Sequence, residues 1–270
     1  MASVDELLAR LDAKKRRVDV AAPLPAATRK SLMDDFLIRY AHETTAIEGN
    51  TLTLHEAQAI LEDGVTVGGK TLREHLEVVN VRSAWQTLEA LVRDKAALTE
   101  SALSDLHRQL MQGILGDQAG LYRRVPVYIR GSQHVPPNWV KVPDLMQRFV
   151  NRFHERPSTE HPVHWAALAH IELAGIHPFV DGNGRVSRLV ANWLLMREAW
   201  PPALYTATER GWYLDTLEEA QFRGQPNEFV KVTARAVEFL LDRSLEMVRQ
   251  VEEGYYQVQD AEHEDEYEPE

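Results

Sequence analysis

Residues 161–200 limit the possible folds more than any other part of this chain. His161 to Ile176 is rich in alanine and reads as a tightly packed core helix. Leu189, Val190, Trp193 and Leu194 continue a second buried helix until Pro201-Pro202 stop it. Between the two runs, residues 177–188 read His-Pro-Phe-Val-Asp-Gly-Asn-Gly-Arg-Val-Ser-Arg. A polar loop held between two buried helices has fixed ends. Its imidazole, carboxylate, two glycines and two arginines are therefore gathered at one loop-to-helix junction.

Helical signals dominate elsewhere. Leu7, Leu8 and Leu11 mark an amphipathic start, and Lys14-Lys15-Arg16-Arg17 after it reads as a solvated helix face. Ala21 to Pro25 reads as a linker, and a helix from about Thr28 to Ile47 stops near Gly49-Asn50. Thr53-Leu54-His55-Glu56 and Thr71-Leu72-Arg73-Glu74 are capping boxes, in which Thr and Glu satisfy each other's free backbone amides. Leu103, Leu106 and Leu110 keep helical spacing, and Pro143 suits the first turn of a helix to about Arg156. Helices from about Glu209 to Phe222 and from Asn227 to Gln250 complete the set. One stretch breaks the pattern: Val125, Val127 and Ile129 alternate with Pro126, Tyr128 and Arg130, and Gly131-Ser132 offers a turn. The expected fold class is all-α with a short β-hairpin.

Composition narrows the chemistry. Cysteine is absent, which excludes disulfides, zinc-thiolate sites and cysteine nucleophiles. The net charge of −11 is concentrated at the end, where residues 251–270 hold nine acidic side chains and no Lys or Arg. Without them 32 acids face 30 bases, a net of −2, so the body carries no bias toward nucleic acid. The acidic end reads as a disordered tail. The first residues lack a basic region followed by an apolar run, and no apolar stretch reaches the ~18 residues of a membrane span. These features set the expectation of a cytoplasmic protein with neither nucleic acid nor membrane as partner.

The junction suits phosphate chemistry. Gly182-Asn183-Gly184 precedes a helix expected to begin near Arg185. The first amides of a helix have no internal acceptor and lie at the positive end of its dipole, which makes an anion site. Glycine lets a phosphate approach the backbone. Arg185 and Arg188 are three apart and share a helix face, and guanidinium groups fork onto phosphate oxygens. Asp181 can place a Mg2+ against the same phosphates, and His177 titrates in a range suited to proton removal at neutral pH.

The string also resembles the signature of the Fic (filamentation induced by cAMP) family, HxFx(D/E)GNGRxxR. His177, Phe179, Asp181, Gly182, Asn183, Gly184, Arg185 and Arg188 stand at its fixed positions. The resemblance implies a Fic-like helical bundle that transfers AMP from ATP to a Ser, Thr or Tyr hydroxyl of a target protein. It implies that His177 is the base and Asp181 the Mg2+ ligand. It implies further that the amides of Gly182 to Gly184, with Asn183, form the anion site. Arg185 and Arg188 would grip the phosphate chain, Arg188 toward the γ-phosphate. The intact Gly-Asn-Gly favours AMP transfer over phosphorylation within this family.

Far upstream, Thr44-Thr45-Ala46-Ile47-Glu48-Gly49-Asn50 fits the family's inhibitory pattern (S/T)xxxE(G/N). This implies that Glu48, on a helix preceding the core, pairs with Arg188 in cis and also assists removal of AMP. Residues 123–135, after Gly120-Leu121-Tyr122-Arg123, resemble the flap that docks a target segment as an added strand. Tyr213 resembles the residue that helps hold adenine, and Gln221 stands where relatives carry Asn. The implied organisation is a helical extension over residues 1–40, a Fic domain with its inhibitory helix over 41–250, and a tail over 251–270. A homo-oligomer stays open. The alternative is a non-catalytic nucleotide-binding interaction module, against which the intact His177 and Asp181 weigh.

Two other patterns carry less. Residues 64–71 satisfy the P-loop expression GxxxxGK(S/T), yet the run before them continues a capped helix where a P-loop needs a strand. His161, His164 and His170 match no His-Glu-x-x-His spacing and read as structural histidines.

Overall fold

The computed structural model describes residues 2–21 and 24–265, with side chains to residue 253. Ten α-helices follow one another: α1 (Val4–Val20), α2 (Ala26–Ala46), α3 (Leu54–Asp63), α4 (Leu72–Arg93), α5 (Glu100–Leu110), α6 (Val142–Phe153), α7 (Pro162–Ile176), α8 (Asn183–Arg197), α9 (Arg210–Arg223) and α10 (Asn227–Asp265). Both expected capping boxes close. Glu56 N–H donates to Thr53 Oγ1 at 3.3 Å and Thr53 N–H to Glu56 Oε2 at 2.7 Å. The Thr71–Glu74 pair closes at 3.2 and 2.8 Å. Each cap contributes about 1 kcal/mol.

α7 and α8 form the central pair, with α10 and α6 packed on α7, and α4 and α5 packed on α8. Ala166, Ala167 and Ala169 on α7 and Val186, Val190 and Ala191 on α8 are fully buried, so the two backbones approach closely. α2 joins this core through Phe36 and Tyr40, whose rings lie 5.4 and 4.7 Å from that of Trp85 on α4. The boundary expected at residue 40 falls inside the continuous helix α2. Of the basic cluster of α1, Lys14 turns toward α10, where it and Arg10 pair with Glu238 at 2.8 and 2.7 Å, while Arg16 and Arg17 stay exposed.

Three expectations change. No strand forms between residues 123 and 135. Pro126 and Pro136 cannot donate to a ladder, and on the alternating face Val125 is exposed while Val127 and Ile129 are only half-buried, so the segment lacks the fully buried apolar face that would stabilise a hairpin. The last helix runs on to Asp265, past Gln250, because Glu, Gln and Ala in that stretch are sound helix formers. Residues 266–270 of the expected tail lie outside the described residues. α8 begins at Asn183 rather than Arg185, which puts Gly184 and Arg185 in its first turn.

The P-loop-like string is surface structure. Gly64 ends α3 in the left-handed region, Thr71 caps α4, and Lys70 donates to the Thr51 carbonyl at 2.5 Å. Lys70→Ala is expected to leave ATP affinity unchanged within about twofold, measured by calorimetry. A large loss would return the P-loop to consideration. Among the described residues no helix is long and apolar enough to cross a membrane.

Candidate active site

The loop between α7 and α8 is tied from both sides. α7 ends at His177, which holds the left-handed conformation (φ 51°) unusual for a residue with a side chain. Arg123, buried, fixes it: its backbone N–H donates to Pro178 O at 2.8 Å and its Nε to His177 O at 2.7 Å. The same guanidinium donates to Pro137 O at 2.5 Å, so it clamps both ends of the 123–135 segment to the loop. Asn183 ties its side chain to Phe179, accepting from its N–H and donating to its O, each at 2.9 Å. This holds the start of α8, and with it the Asn183 backbone amide, against the loop.

Beneath the loop lies His107 of α5, which the sequence reading missed. Its ring stacks on Phe179 with centroids 3.7 Å apart. Its Nδ1 accepts the Gly120 N–H at 2.8 Å, so its Nε2 carries the proton and donates to Asp181 O at 2.9 Å. Neither bond has a sequence signal, since His107 and Asp181 are 74 residues apart.

His177 itself donates from Nδ1 to Ala174 O at 3.3 Å, which leaves Nε2 as a free acceptor. It lines an open cavity of about 300 Å³ together with Gly184 and Glu48. Burial pushes its pKa down to about 4; the Ala174 carbonyl opposes this and Arg123 adds to it. His107 is likewise held at about 4, by burial first, with the Asp181 carbonyl opposing and Arg185 adding.

The two histidines predict acid sensitivity. A folded-state pKa of about 4 against ~6.5 in the unfolded chain means the unfolded chain binds more protons between those values. Their stabilising contribution is complete above pH ~6.5 and is lost as pH falls through about 4, at up to ~1.4 kcal/mol per pH unit for each group. Thermal melts between pH 7 and 4.5 should show Tm falling steadily below pH 6.5. A flat Tm would contradict the burial argument.

The N-terminus of α8 closes the other side of the cavity. Gly182 takes φ +79°, and a Cβ there would meet Met111 Sδ at 2.8 Å. The first helical bond runs from Val186 N–H to Gly182 O, so the amides before it have no helical acceptor. Asp181 accepts from Gly182 N–H at 2.6 Å and pairs with the exposed Arg73 at 2.5 Å. Burial alone would raise its pKa, but Arg185, Arg73 and that amide hold it below the usual carboxylate value. Arg185 is turned inward, 2% exposed, between Glu77 (3.3 Å) and Asp181 (3.4 Å). It is absent from the cavity lining. Glu77, also missed in sequence, is a buried carboxylate that further accepts from Arg73 and from Asn50 Nδ2 at 3.0 Å.

Arg188 is fully buried and is gripped by α2. Its Nε donates to Thr44 Oγ1 at 2.7 Å, and its Nη2 to Thr44 O at 2.9 Å and to Glu48 Oε1 at 2.6 Å. Its Nη1 donates to the Tyr213 hydroxyl at 3.0 Å. Burial opposes its charge, but Tyr213 and Glu48 more than offset that and raise its pKa. Glu48 lies across the start of α8: a Cβ on Gly184 would collide with its carboxylate. The end of α2 is latched by Arg210 Nε to Ile47 O at 2.7 Å and by Ala207 N–H to Glu43 Oε2 at 2.6 Å.

Tyr213 borders the same cavity. It is 2% exposed and its hydroxyl is spent on Arg188 and His170. The neighbouring Leu214, with Leu217 and Ile129, supplies apolar lining to the cavity, and Gln221 joins them there. Gln221 Nε2 donates to Ile171 O at 3.3 Å, which leaves its Oε1 as a free acceptor. The other histidines are accounted for: His161 caps α7 through Val163 N–H, His164 pairs with Glu160, and His170 meets Tyr213.

Comparison with known proteins agrees with this geometry. Residues 97–195 match the model of the Fic/DOC family, a span that holds the whole His177–Arg188 loop. Protein adenylyltransferase Fic of Drosophila ananassae is 37% identical over 242 residues, covering 89% of this chain and 48% of that protein. The chain thus spans about half the length of the curated relatives it matches. Fic-1 of C. elegans superposes with a TM-score of 0.84 at 27% identity, over 92% of this chain and 73% of that one. A Fic family protein from Desulfovibrio desulfuricans G20 gives 0.75 at 29% identity, over 91% and 75%. A complete loop signature inside the matched span, on a fold shared with these Fic proteins, shows that the chain carries a Fic/DOC domain over residues 97–195.

Proposed function

We propose that this chain transfers AMP from ATP to a Ser, Thr or Tyr hydroxyl of a protein target, and that Glu48 holds the transferase off. One observation carries the reading. The Glu48 carboxylate sits on Arg188 at 2.6 Å and over Gly184, where the guanidinium and the helix amides would otherwise receive a phosphate. The relatives named protein adenylyltransferase support the reaction type.

The step balances as follows. His177 Nε2 takes the proton of the incoming hydroxyl, whose oxygen attacks the α-phosphorus in line. The bond from that phosphorus to the bridging oxygen breaks, and pyrophosphate leaves with the electron pair. The amides at the start of α8 stabilise the phosphate oxygens, and Arg188, once free of Glu48, holds the γ-phosphate. Arg185 keeps Asp181 and Glu77 neutralised from below.

Asp181 fits a magnesium ion that arrives with the triphosphate. Such an ion takes one carboxylate, phosphate oxygens and water. The Arg73 that now covers Asp181 is half exposed and can swing away. The ion would neutralise phosphate charge. Gln221 Oε1, fixed by the Ile171 contact, can accept from the amino group of adenine beside the apolar Leu214.

Residues 123–135 are the docking segment for the target. Tyr128 is 86% exposed and Val135 70%, and the segment is anchored through Arg123 to the His177 carbonyl. Its backbone pairs in no ladder of its own and can accept a target strand. The reverse reaction, removal of AMP with Glu48 orienting a water, belongs to the same reading.

The test is incubation of Glu48→Gly protein with Mg2+ and ATP labelled at the α- or the γ-phosphate. Protein-bound label from the α position alone is expected. Label from the γ position alone would make the chain a kinase, and no label with bound nucleotide would make it an interaction module.

A further inference from the structure

Arg188 has partners on two sides that differ in kind. Thr44 and Glu48 come from α2, the element that obstructs the phosphate position. The Tyr213 hydroxyl, at 3.0 Å from Nη1, comes from α9 and, like the two Thr44 contacts, remains when the carboxylate withdraws; it is the one hydrogen bond Nη1 makes. That hydroxyl has a second neighbour, His170 Nε2 of α7, at 2.9 Å. Tyr213, His170 and Arg188 are all at most 2% exposed, so no water competes for these bonds.

The direction of the two bonds follows from the donors. A guanidinium can only donate, so Tyr213 Oη accepts from Arg188 and must place its own proton elsewhere. His170 Nε2 is the available acceptor, which puts the imidazole proton on Nδ1. Burial, with the Arg188 charge adding to it, keeps this histidine neutral.

His170 Nδ1 is buried and has no hydrogen-bond partner. The ring lies edge-on to Tyr205, Tyr213 and Phe229, at centroid distances of 5.4, 5.6 and 4.9 Å. An apolar side chain would fill that aromatic box without burying an unpaired N–H. The distinct contribution of an imidazole there is the Nε2 acceptor.

We propose that Tyr213 and His170 are positioning residues for the phosphate clamp: His170 orients the Tyr213 hydroxyl, and that hydroxyl holds Arg188 in place for the γ-phosphate when Glu48 is released. The pair acts through Arg188, to which the Tyr213 hydroxyl is bonded. The inference rests on the AMP-transfer reading, because it needs Arg188 to meet a γ-phosphate.

The discriminating measurement is selectivity between nucleotides that differ in that phosphate. Calorimetric titrations with MgATP and MgADP are made on Glu48→Gly/His177→Ala protein, in which turnover is expected to be slowed at least about a hundredfold. Adding Tyr213→Phe keeps the ring and removes the hydroxyl. ATP affinity is expected to fall about tenfold, the size of one hydrogen bond to a charged group, while ADP affinity stays within about twofold. His170→Leu should reproduce part of the ATP loss alone and add nothing to Tyr213→Phe, as expected of residues acting in series. Should His170→Leu fail to melt cooperatively, Tyr213→Phe still decides the matter. Equal weakening of ATP and ADP, or no change in either, would overturn the proposal and reduce Tyr213 to a core residue. If the parent protein binds neither nucleotide, the AMP-transfer reading itself fails, and the proposal with it.

Discussion

Glu48→Gly is expected to raise self-labelling with AMP about a hundredfold over the unaltered chain at saturating ATP and Mg2+. Holding 99% of molecules in an obstructed state requires only ~2.7 kcal/mol, half of what reversing a 1:99 balance takes. A charge-assisted Arg–carboxylate bond with its cation fully buried is strong enough. Glycine removes the carboxylate from Arg188 and from the start of α8 together. The helix remains docked, because Thr44 still binds Arg188, Arg210 still binds the Ile47 carbonyl, and Phe36 and Tyr40 still pack on Trp85. Melting temperature should therefore change little while activity rises. Adding Arg188→Ala should silence the variant, since the freed clamp is then missing. Equal labelling by Glu48→Gly and the unaltered chain would show that the carboxylate does not obstruct the site, and would leave the transferase reading intact.

His177→Ala, placed in the Glu48→Gly protein, should lower AMP transfer by about 10²–10⁴-fold, the usual contribution of a general base. ATP affinity should stay within about twofold, because the imidazole grips no phosphate. The pH profile adds a second check. With its pKa near 4, His177 is unprotonated at neutral pH and ready to accept a proton. The rate limb due to this group should accordingly be flat from pH 6 to 8 and fall only on approach to about 4. Radiolabel transfer across that range, with binding measured in parallel, separates the two effects. Comparable transfer by the alanine variant at pH 7 would reject the role.

The loop and its chemistry were legible because they are local. Residues 177–188 are contiguous, and the glycines, the helix start and the flanking core helices all follow from spacing and backbone physics. Thr53 and Thr71 announced their helices for the same reason: a capping box is complete within four residues. The expected hairpin does not form, because alternation alone is not sufficient for a strand. Val125 and Tyr128 alternate with their neighbours, but a strand needs a ladder partner and a fully buried face, and this segment has neither.

What stayed hidden depends on contacts between distant parts of the chain. Arg73 reaches Asp181 across 108 residues, and Arg188 reaches Thr44 across 144. Nothing in the spacing of His107 or Glu77 distinguishes them from other helix residues, yet one supports the loop over residues 177–188 and the other faces Arg185. Arg185 and Arg188 look equivalent in sequence, three apart on one helix. Tertiary packing separates them, turning Arg185 toward the acids of α4 and the loop and Arg188 toward α2 and the Tyr213 hydroxyl. The sequence by itself determined which functional groups the junction carries and that helices hold it. Only the tertiary structure decided which of them face the cavity and which are spent on holding it together, because a side chain's free hydrogen-bonding capacity depends on its partners in space.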